Sequence, residues 1–220
     1  MSDQMSHKKD SVTHQEFKEM MEFVKFYLKD TLDSDGDRMR WYPWHSPQYR
    51  YEHILGTMRL GEKIARQENA NVDVVKVAAL FHDIAKFEVD QEVHAEEGAQ
   101  VAREYLSSEG YSDTFIEKVV RTVKDHSKGM DEGLPLESKI LMEADAIDKI
   151  GVAGATLLAL RVGYESRPHT DIPEMIDRVI DRGKSILNWI ETETGRRIAL
   201  ERIERAKTYR DWFKDERGEN

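Results

Sequence analysis

The sequence contains no cysteine among its 220 residues. Disulfide bonds, thiolate metal ligands and cysteine nucleophiles are therefore excluded. Proline and glycine are scarce as well, with 5 and 13 residues. No segment shows sustained alternation of apolar and polar residues between turn signals, which is the pattern of a half-buried strand. Glu, Lys, Arg, Ala and Leu are abundant instead, and this composition predicts an all-α protein.

Two further absences limit the partners of the chain. No apolar run approaches the roughly 20 residues of a membrane span, and the polar residues 1–10 lack the apolar segment of a secretory signal. The formal net charge is -10, and no basic block is available to displace counterions from a nucleic acid backbone. We therefore expect a cytoplasmic protein that binds neither membranes nor nucleic acid polymers. The sequence leaves open whether it forms a homo-oligomer.

Apolar periodicity and capping residues predict successive helices along the chain. Their predicted starts lie near Thr13, Ser46, Asn71, Glu92, Ser112, Pro135, Asp171 and Thr194. Residues 33–37 are expected to form a loop, and residues 1–12 a flexible tail. No linker-like stretch or internal repeat divides the rest, so residues 13–220 are predicted to form one domain.

The adjacent pair His82-Asp83 is the most informative feature of the sequence. It lies within the run 77–87, whose apolar residues occupy every side of a helical wheel, as in a buried helix. A buried imidazole and carboxylate are costly unless they are paired or bind a metal. Since other histidines and acids occur in similar settings, we favour a metal.

A second apolar segment, 140–150, contains two carboxylates at helical spacing. Asp145 and Asp148 share a helix face, and they repel each other unless a cation lies nearby. Lys149 is an alternative partner for Asp145, at i+4. Imidazole and carboxylate ligands together suit a divalent ion such as Mn, Fe, Co, Ni or Zn, with Mg also compatible.

The order His53, then His82-Asp83, then Asp145 resembles the HD superfamily of metal-dependent phosphohydrolases. The resemblance spans about residues 51–162, a region followed by C-terminal helices over 171–217. It is similar in particular to the small single-domain HD hydrolases. It implies an all-α helical bundle, a metal bound by those four residues, and hydrolysis of a phosphate ester or anhydride.

Two positions depart from that group. It usually carries arginine directly after the metal-binding aspartate, where this chain has Ala146, and it tends to carry arginine in the next helix, where we align Leu157. His94 and His126 resemble the additional ligands of HD proteins that bind two metals, or they donate to a substrate phosphate around one ion. We expect one or two divalent ions, with a slight preference for one.

Three other features have two interpretations each. Asp148 is a candidate to orient or deprotonate the attacking water, or it forms a structural salt bridge. Lys86, one turn after Asp83, is a candidate phosphate contact, or an ion-pair partner of Asp83 or Asp90. The aromatic residues in 41–45 either stack on a nucleobase or fill the core.

The function expected from these features is hydrolysis of a small phosphorylated metabolite, most plausibly a nucleotide. One alternative is a two-metal phosphodiesterase that cleaves cyclic or dinucleotides. Another is a non-catalytic HD module that binds a nucleotide and regulates a partner.

Overall fold

The computed structural model describes residues 8–34, 46–131 and 133–218. This part of the chain forms nine α-helices, and a 3₁₀ turn, His169–Asp171, precedes the eighth. The helices are α1 His14–Ser34, α2 Pro47–Gln67, α3 Val72–Phe81, α4 His94–Ser108, α5 Asp113–Asp125, α6 Leu136–Asp148, α7 Gly151–Tyr164, α8 Ile172–Ile186 and α9 Glu193–Glu216. The predicted all-α class is confirmed.

Side-chain caps fix several of the helix starts. Ser46 accepts a hydrogen bond from the Tyr49 amide at 3.1 Å, and Pro47 occupies the first helical position. Ser112 caps α5 in the same way through the Phe115 amide. These caps satisfy amides that have no partner inside the helix, and they confirm two of the predicted starts.

Two helices end earlier than their apolar patterns suggested. The helix predicted to contain His82 and Asp83 ends at Phe81, and both residues lie in the turn that follows. The helix predicted to reach Ile150 ends at Asp148. Gly151 has φ +81°, which favours glycine, and it begins a separate helix. Each break places candidate site residues at a helix end, where the backbone is no longer restricted to helical geometry.

The N-terminal segment differs from the predicted flexible tail. Lys9 forms an isolated parallel bridge with Tyr111, and the Val12 amide donates to Asp73 at 3.1 Å. Residues 8–12 are therefore bound to the helical body. In the predicted loop 33–37, the first two residues end α1, and 35–37 lie outside the described residues, as does the aromatic cluster 41–45.

The helices enclose two hydrophobic cores on either side of α2, α3 and α6. One core lies among α1 to α5 and includes Met20, Leu28, Ile54, Phe81 and Leu106. The other lies mainly among α6 to α9 and includes Ile64, Ile147, Ile176, Ile180 and Ile203. Each helix buries one apolar stripe against its neighbours. The polar side chains between the two cores are thus held by well-packed elements.

Candidate metal centre

Five regions of the fold bring the predicted site residues together. Helix α2 supplies His53, the turn after α3 supplies His82 and Asp83, α4 begins with His94, His126 follows α5, and α6 supplies Asp145 and Asp148. The side chains of His53, His82, Asp83 and His94 are almost completely buried. Sequence positions that span 96 residues therefore meet in one polar cluster.

The Asp83 carboxylate lies between two pairs of histidines. Its Oδ2 atom is 3.7 Å from Nε2 of His53 and 3.7 Å from Nε2 of His82. Its Oδ1 atom is 3.4 Å from Nε2 of His94 and 3.8 Å from Nε2 of His126. These residues form two groups that could each hold a metal ion, and Asp83 belongs to both.

Backbone carbonyls fix the orientation of three of these rings. In each case the Nδ1 atom contacts the carbonyl oxygen of the residue three positions earlier, and the ring must donate there. The pairs are His82 with Ala79, His94 with Gln91, and His126 with Val123. In the neutral ring the lone pair is then at Nε2, the atom that faces Asp83.

The contacts of these Nε2 atoms show whether the site suits a cation. Among the described residues, Nε2 of His53 and of His82 are buried without an aligned hydrogen bond. Nε2 of His94 can accept a hydrogen bond from Nζ of Lys86 at 3.2 Å, but it also lies 3.1 Å from Nε2 of His126, and two lone pairs at that distance repel each other. A divalent cation would satisfy these atoms, and imidazole and carboxylate are suitable ligands for it.

His53 is held by the two carboxylates of α6. Its Nδ1 atom lies 2.8 Å from Oδ2 of Asp148, and its Nε2 atom lies 2.9 Å from Oδ1 of Asp145. A carboxylate at the far nitrogen of a metal-binding histidine orients the ring and raises its basicity. Gly56, one turn beyond His53, leaves the space for Asp148, since a Cβ there would overlap its carboxylate.

Three basic side chains contact the carboxylates of the cluster. Arg50 donates to Oδ2 of Asp83, and Nζ of Lys86 lies 3.3 Å from Oδ1 of Asp83. Nζ of Lys149 lies 2.6 Å and 2.8 Å from the two oxygens of Asp145. The ion pairs that the sequence offered as alternative roles, Lys86 with Asp83 and Lys149 with Asp145, are therefore present. Sequence reasoning missed Arg50, although it precedes His53 by three residues on the same helix.

The charges of the cluster follow from these contacts. Burial raises the pKa of Asp83, but its neighbours, among them the charged Arg50 guanidinium, hold that pKa well below its usual value. Burial also opposes ionisation of Asp145, and Lys149 is the largest influence that keeps the Asp145 pKa low.

Burial lowers the pKa of His82. Burial also opposes protonation of His53, but its contacts with Asp145 and Asp148 raise its pKa. The cluster thus combines ionised carboxylates with a neutral His82 ring, and metal ligation by His53 would displace its proton.

A basic cavity of about 460 Å³ borders this cluster. Of the residues that the structure describes, five cationic side chains and no carboxylate line it, although the chain as a whole is acidic. The five are Arg50, Lys86, Lys149, Arg178 and Arg182. Sequence reasoning missed both α8 arginines, because only the packing of α8 against α7 brings them here. Leu157 also lines this cavity.

A second cavity of about 450 Å³ borders the cluster through His126 and Asp145. Apolar side chains form much of its wall: Met130, Met142, Ala146 and Trp189. The two cavities have no lining residue in common. The cluster therefore adjoins one basic and one largely apolar space.

The comparison with known families agrees with this geometry. The HD domain family matches residues 50–150, a range that contains every candidate metal ligand. A crystal structure described as a predicted HD superfamily hydrolase, from an uncultured Thermotogales bacterium, superimposes with a TM-score of 0.62 at 25% identity. That match covers 90% of this chain and 91% of the other.

This protein contains an HD domain, over residues 50–150.

Two other relatives of this HD protein carry names that mention nucleotides. Bacillus subtilis YpgQ in complex with ADP shares the fold, with a TM-score of 0.61, 18% identity, and coverage of 91% of this chain and 96% of YpgQ. A symmetrical bis(5'-nucleosyl)-tetraphosphatase from Halalkalibacterium halodurans is 27% identical over 125 residues, 47% of this chain and 63% of that protein. The HD chain spans less than two thirds of the length of the curated relatives that it matches. Within its described residues, each helix is too short or too polar to cross a bilayer.

Proposed function

We propose that this HD protein is a metal-dependent phosphohydrolase that cleaves a phosphate ester or anhydride bond in a small metabolite, with a nucleotide as the substrate. The observation that carries the proposal is the position of Asp83. Its two carboxylate oxygens face two pairs of histidine Nε2 atoms, and a cavity lined by cations lies beside it. Metal ligands beside a basic cavity suit an anionic substrate with a phosphoryl group.

The residues divide into two ligand sets. His53, His82, Asp83 and Asp145 would hold one ion, and Asp83, His94 and His126 a second. Bound divalent ions would lower the pKa of a water molecule and stabilise negative charge on the phosphoryl oxygens. We therefore propose two ions, in place of the slight preference for one that the sequence suggested.

Three other residues would prepare the site for the substrate. Asp148 contacts His53, so we assign it to positioning this ring, in place of the role on the attacking water considered from the sequence. Lys86 and Arg50 contact Asp83 and also line the basic cavity. Both could turn from the carboxylate to a phosphate oxygen, because guanidinium and ammonium groups bind either anion.

The apolar cavity supports a nucleotide as the substrate. The wall of this cavity includes the aromatic side chain of Trp189 and the small side chain of Ala146. Aromatic side chains stack on nucleobases, and 450 Å³ is within the usual range for small-molecule sites. The names of the tetraphosphatase relative and of the ADP complex of YpgQ agree with this choice.

The experiment that tests the proposal is a hydrolysis screen. The purified protein is incubated with Mn²⁺, Mg²⁺, Co²⁺ or Ni²⁺ and with nucleoside mono-, di- and triphosphates, diadenosine polyphosphates and generic phosphomonoesters. We expect ion-dependent release of phosphate or pyrophosphate, which is lost in Asp83→Asn. The control is Asp181→Asn, an exposed carboxylate on α8. No hydrolysis with any ion, or full activity in Asp83→Asn, would contradict the proposal.

A second candidate function is a two-metal phosphodiesterase acting on cyclic or dinucleotides. The additional ligand group of Asp83, His94 and His126 favours it. Cyclic mono- and dinucleotides belong in the same screen, and their preferential cleavage would select this function. Nucleotide binding without any turnover would instead indicate a regulatory HD module.

A further inference from the structure

The basic cavity contains two cations that the metal cluster does not use. Arg50, Lys86 and Lys149 are engaged with the carboxylates of Asp83 and Asp145. The other two cationic residues of the cavity, Arg178 and Arg182, come from α8 and contact no candidate metal ligand. Their positive charge is therefore available to a molecule in the cavity.

Their present contacts hold these arginines only weakly. Arg178 forms an i,i+4 pair with Glu174 at 2.7 Å, and both side chains are more than half exposed. An exposed pair of this kind contributes little to stability. Arg182 has no ion-pair partner in the part of the chain that the structure describes. Both guanidinium groups can thus bind an anion without breaking a buried interaction.

The spacing of the two arginines suits one anionic group. Residues four apart on a helix lie on the same face with Cβ atoms roughly 5–6 Å apart, and planar guanidinium groups bind phosphate oxygens in a bidentate manner. Leu157 and Leu158 of α7 add an apolar part to the cavity lining, and Tyr49 and Arg50 of α2 line it as well; Arg50 also contacts Asp83 of the cluster. A ligand that reaches from the metal cluster to α8 must therefore carry negative charge at both ends of this path.

We infer that Arg178 and Arg182 bind a second phosphoryl group of the substrate, beyond the group at the metal cluster. This inference rests on the proposed phosphohydrolase function and narrows its substrate class to compounds with two or more linked phosphates. A phosphate monoester has a single phosphoryl group, so it would occupy only the end of the cavity next to the metal cluster. The α8 arginines are then residues that determine specificity.

The kinetic test compares ATP with AMP as substrates of the Mn²⁺-loaded protein. In the double variant Arg178→Ala/Arg182→Ala, we expect the KM for ATP to rise roughly 10- to 100-fold, the range for lost hydrogen bonds between charged groups. The kinetic constants for AMP should stay within twofold of those of the wild type. Arg178→Lys/Arg182→Lys should recover part of the loss. The matched control is Arg205→Ala, at an exposed arginine of α9 paired with Glu201. It should leave the kinetic constants for both ATP and AMP unchanged.

A binding test separates this inference from the proposed function. Inorganic tripolyphosphate is titrated calorimetrically into the wild-type protein and the double alanine variant, with thermal unfolding as a check of folding. Weaker binding to the variant supports the α8 subsite even if the wild type hydrolyses nothing. Equal binding, or an equal rise in KM for ATP and AMP, overturns it.

Discussion

Nε2 of His94 lies 3.1 Å from Nε2 of His126, and backbone carbonyls occupy the Nδ1 atom of each ring. Two acceptor atoms at this distance repel each other, and Nζ of Lys86 contacts only the one on His94, so a cation bound to both atoms would be favourable. We expect His94→Ala and His126→Ala each to lower the bound Mn²⁺ from two ions per chain to one. Elemental analysis after dialysis measures the count, and His14→Ala, in the exposed first turn of α1, is the control. Unchanged metal content in both variants would exclude these residues as ligands.

Asp83 is shared by both ligand groups, so its removal should be the most damaging change to hydrolysis. A bound metal stabilises the transition state by several kcal/mol, and roughly 1.4 kcal/mol corresponds to tenfold in rate. We expect Asp83→Ala to reduce kcat/KM by at least ~10³-fold while the circular dichroism spectrum stays helical. A loss of less than tenfold would show that Asp83 is not a ligand.

Gly56 and Asp148 should act on the metal through His53. Alanine usually stabilises a helix interior relative to glycine, by roughly 0.5–1 kcal/mol. At position 56, however, a methyl group would displace the Asp148 carboxylate. We expect Gly56→Ala and Asp148→Asn both to weaken metal binding about 10- to 100-fold, the usual effect of losing the partner of a ligand histidine. The control is Gly163→Ala, where a Cβ meets nothing within 4 Å, and metal affinity is measured by competition with a chelator. Wild-type affinity in Gly56→Ala would refute this role for Asp148.

Lys86 is placed to act on the substrate more than on the metal. Burial lowers its pKa, its Nζ atom lies 3.3 Å from Oδ1 of Asp83, and the residue lines the basic cavity. We expect Lys86→Met to raise KM or lower kcat about tenfold or more, with metal content unchanged. Lys184→Met, an exposed lysine of α8, serves as the control. Normal kinetics together with a lower melting temperature would leave Lys86 a structural ion-pair partner only.

Glu16 stabilises the start of α1, far from the metal cluster, and this stabilisation depends on pH. Its carboxylate accepts from the Thr13 amide and hydroxyl at 2.8 Å and 2.7 Å. Contacts with Lys9 and then Thr13 lower the Glu16 pKa from 4.5 to about 2. A pKa that is lower in the folded state stabilises the fold above 4.5, and this contribution is lost as the pH falls from 4.5 towards 2. Glu16→Gln should therefore cost about 1 kcal/mol at pH 7 and progressively less below pH 4.5. Urea unfolding of this variant and of the control Glu19→Gln at several pH values measures the difference; a cost that does not change with pH would contradict it.

Much of the fold and the composition of the cluster could be predicted from sequence. Helix caps such as Ser46 and Ser112 are local signals, and a buried His82-Asp83 pair requires a partner wherever it lies. The exact helix ends could not be predicted, because the apolar pattern continues past Phe81 while the backbone turns there. The convergence of His94 and His126 on one oxygen of Asp83 was also beyond the sequence, since it depends on how α4 packs against α5.

The basic cavity was the least predictable part of the site. Arg178 lies on an amphipathic helix, where an arginine is usually a solvated surface residue, and its i,i+4 spacing from Glu174 supports that interpretation. Leu157 stands at the position where similar HD hydrolases tend to carry arginine. The tertiary packing of α7 and α8 supplies positive charge from a different helix, which no local pattern encodes.

The contacts between ring nitrogens and backbone carbonyls also bear on how the protein exchanges its ions. Three imidazoles are held in their ligating orientation by Ala79, Gln91 and Val123, and the surrounding helices pack around two hydrophobic cores. Because these cores consist of apolar side chains, we expect the protein to stay folded when the metal is removed, unlike small zinc-dependent domains. One divalent ion could then leave and another enter while the chain stays folded. The metal found in the cell would accordingly depend on which ions are available and how strongly they bind nitrogen and oxygen ligands.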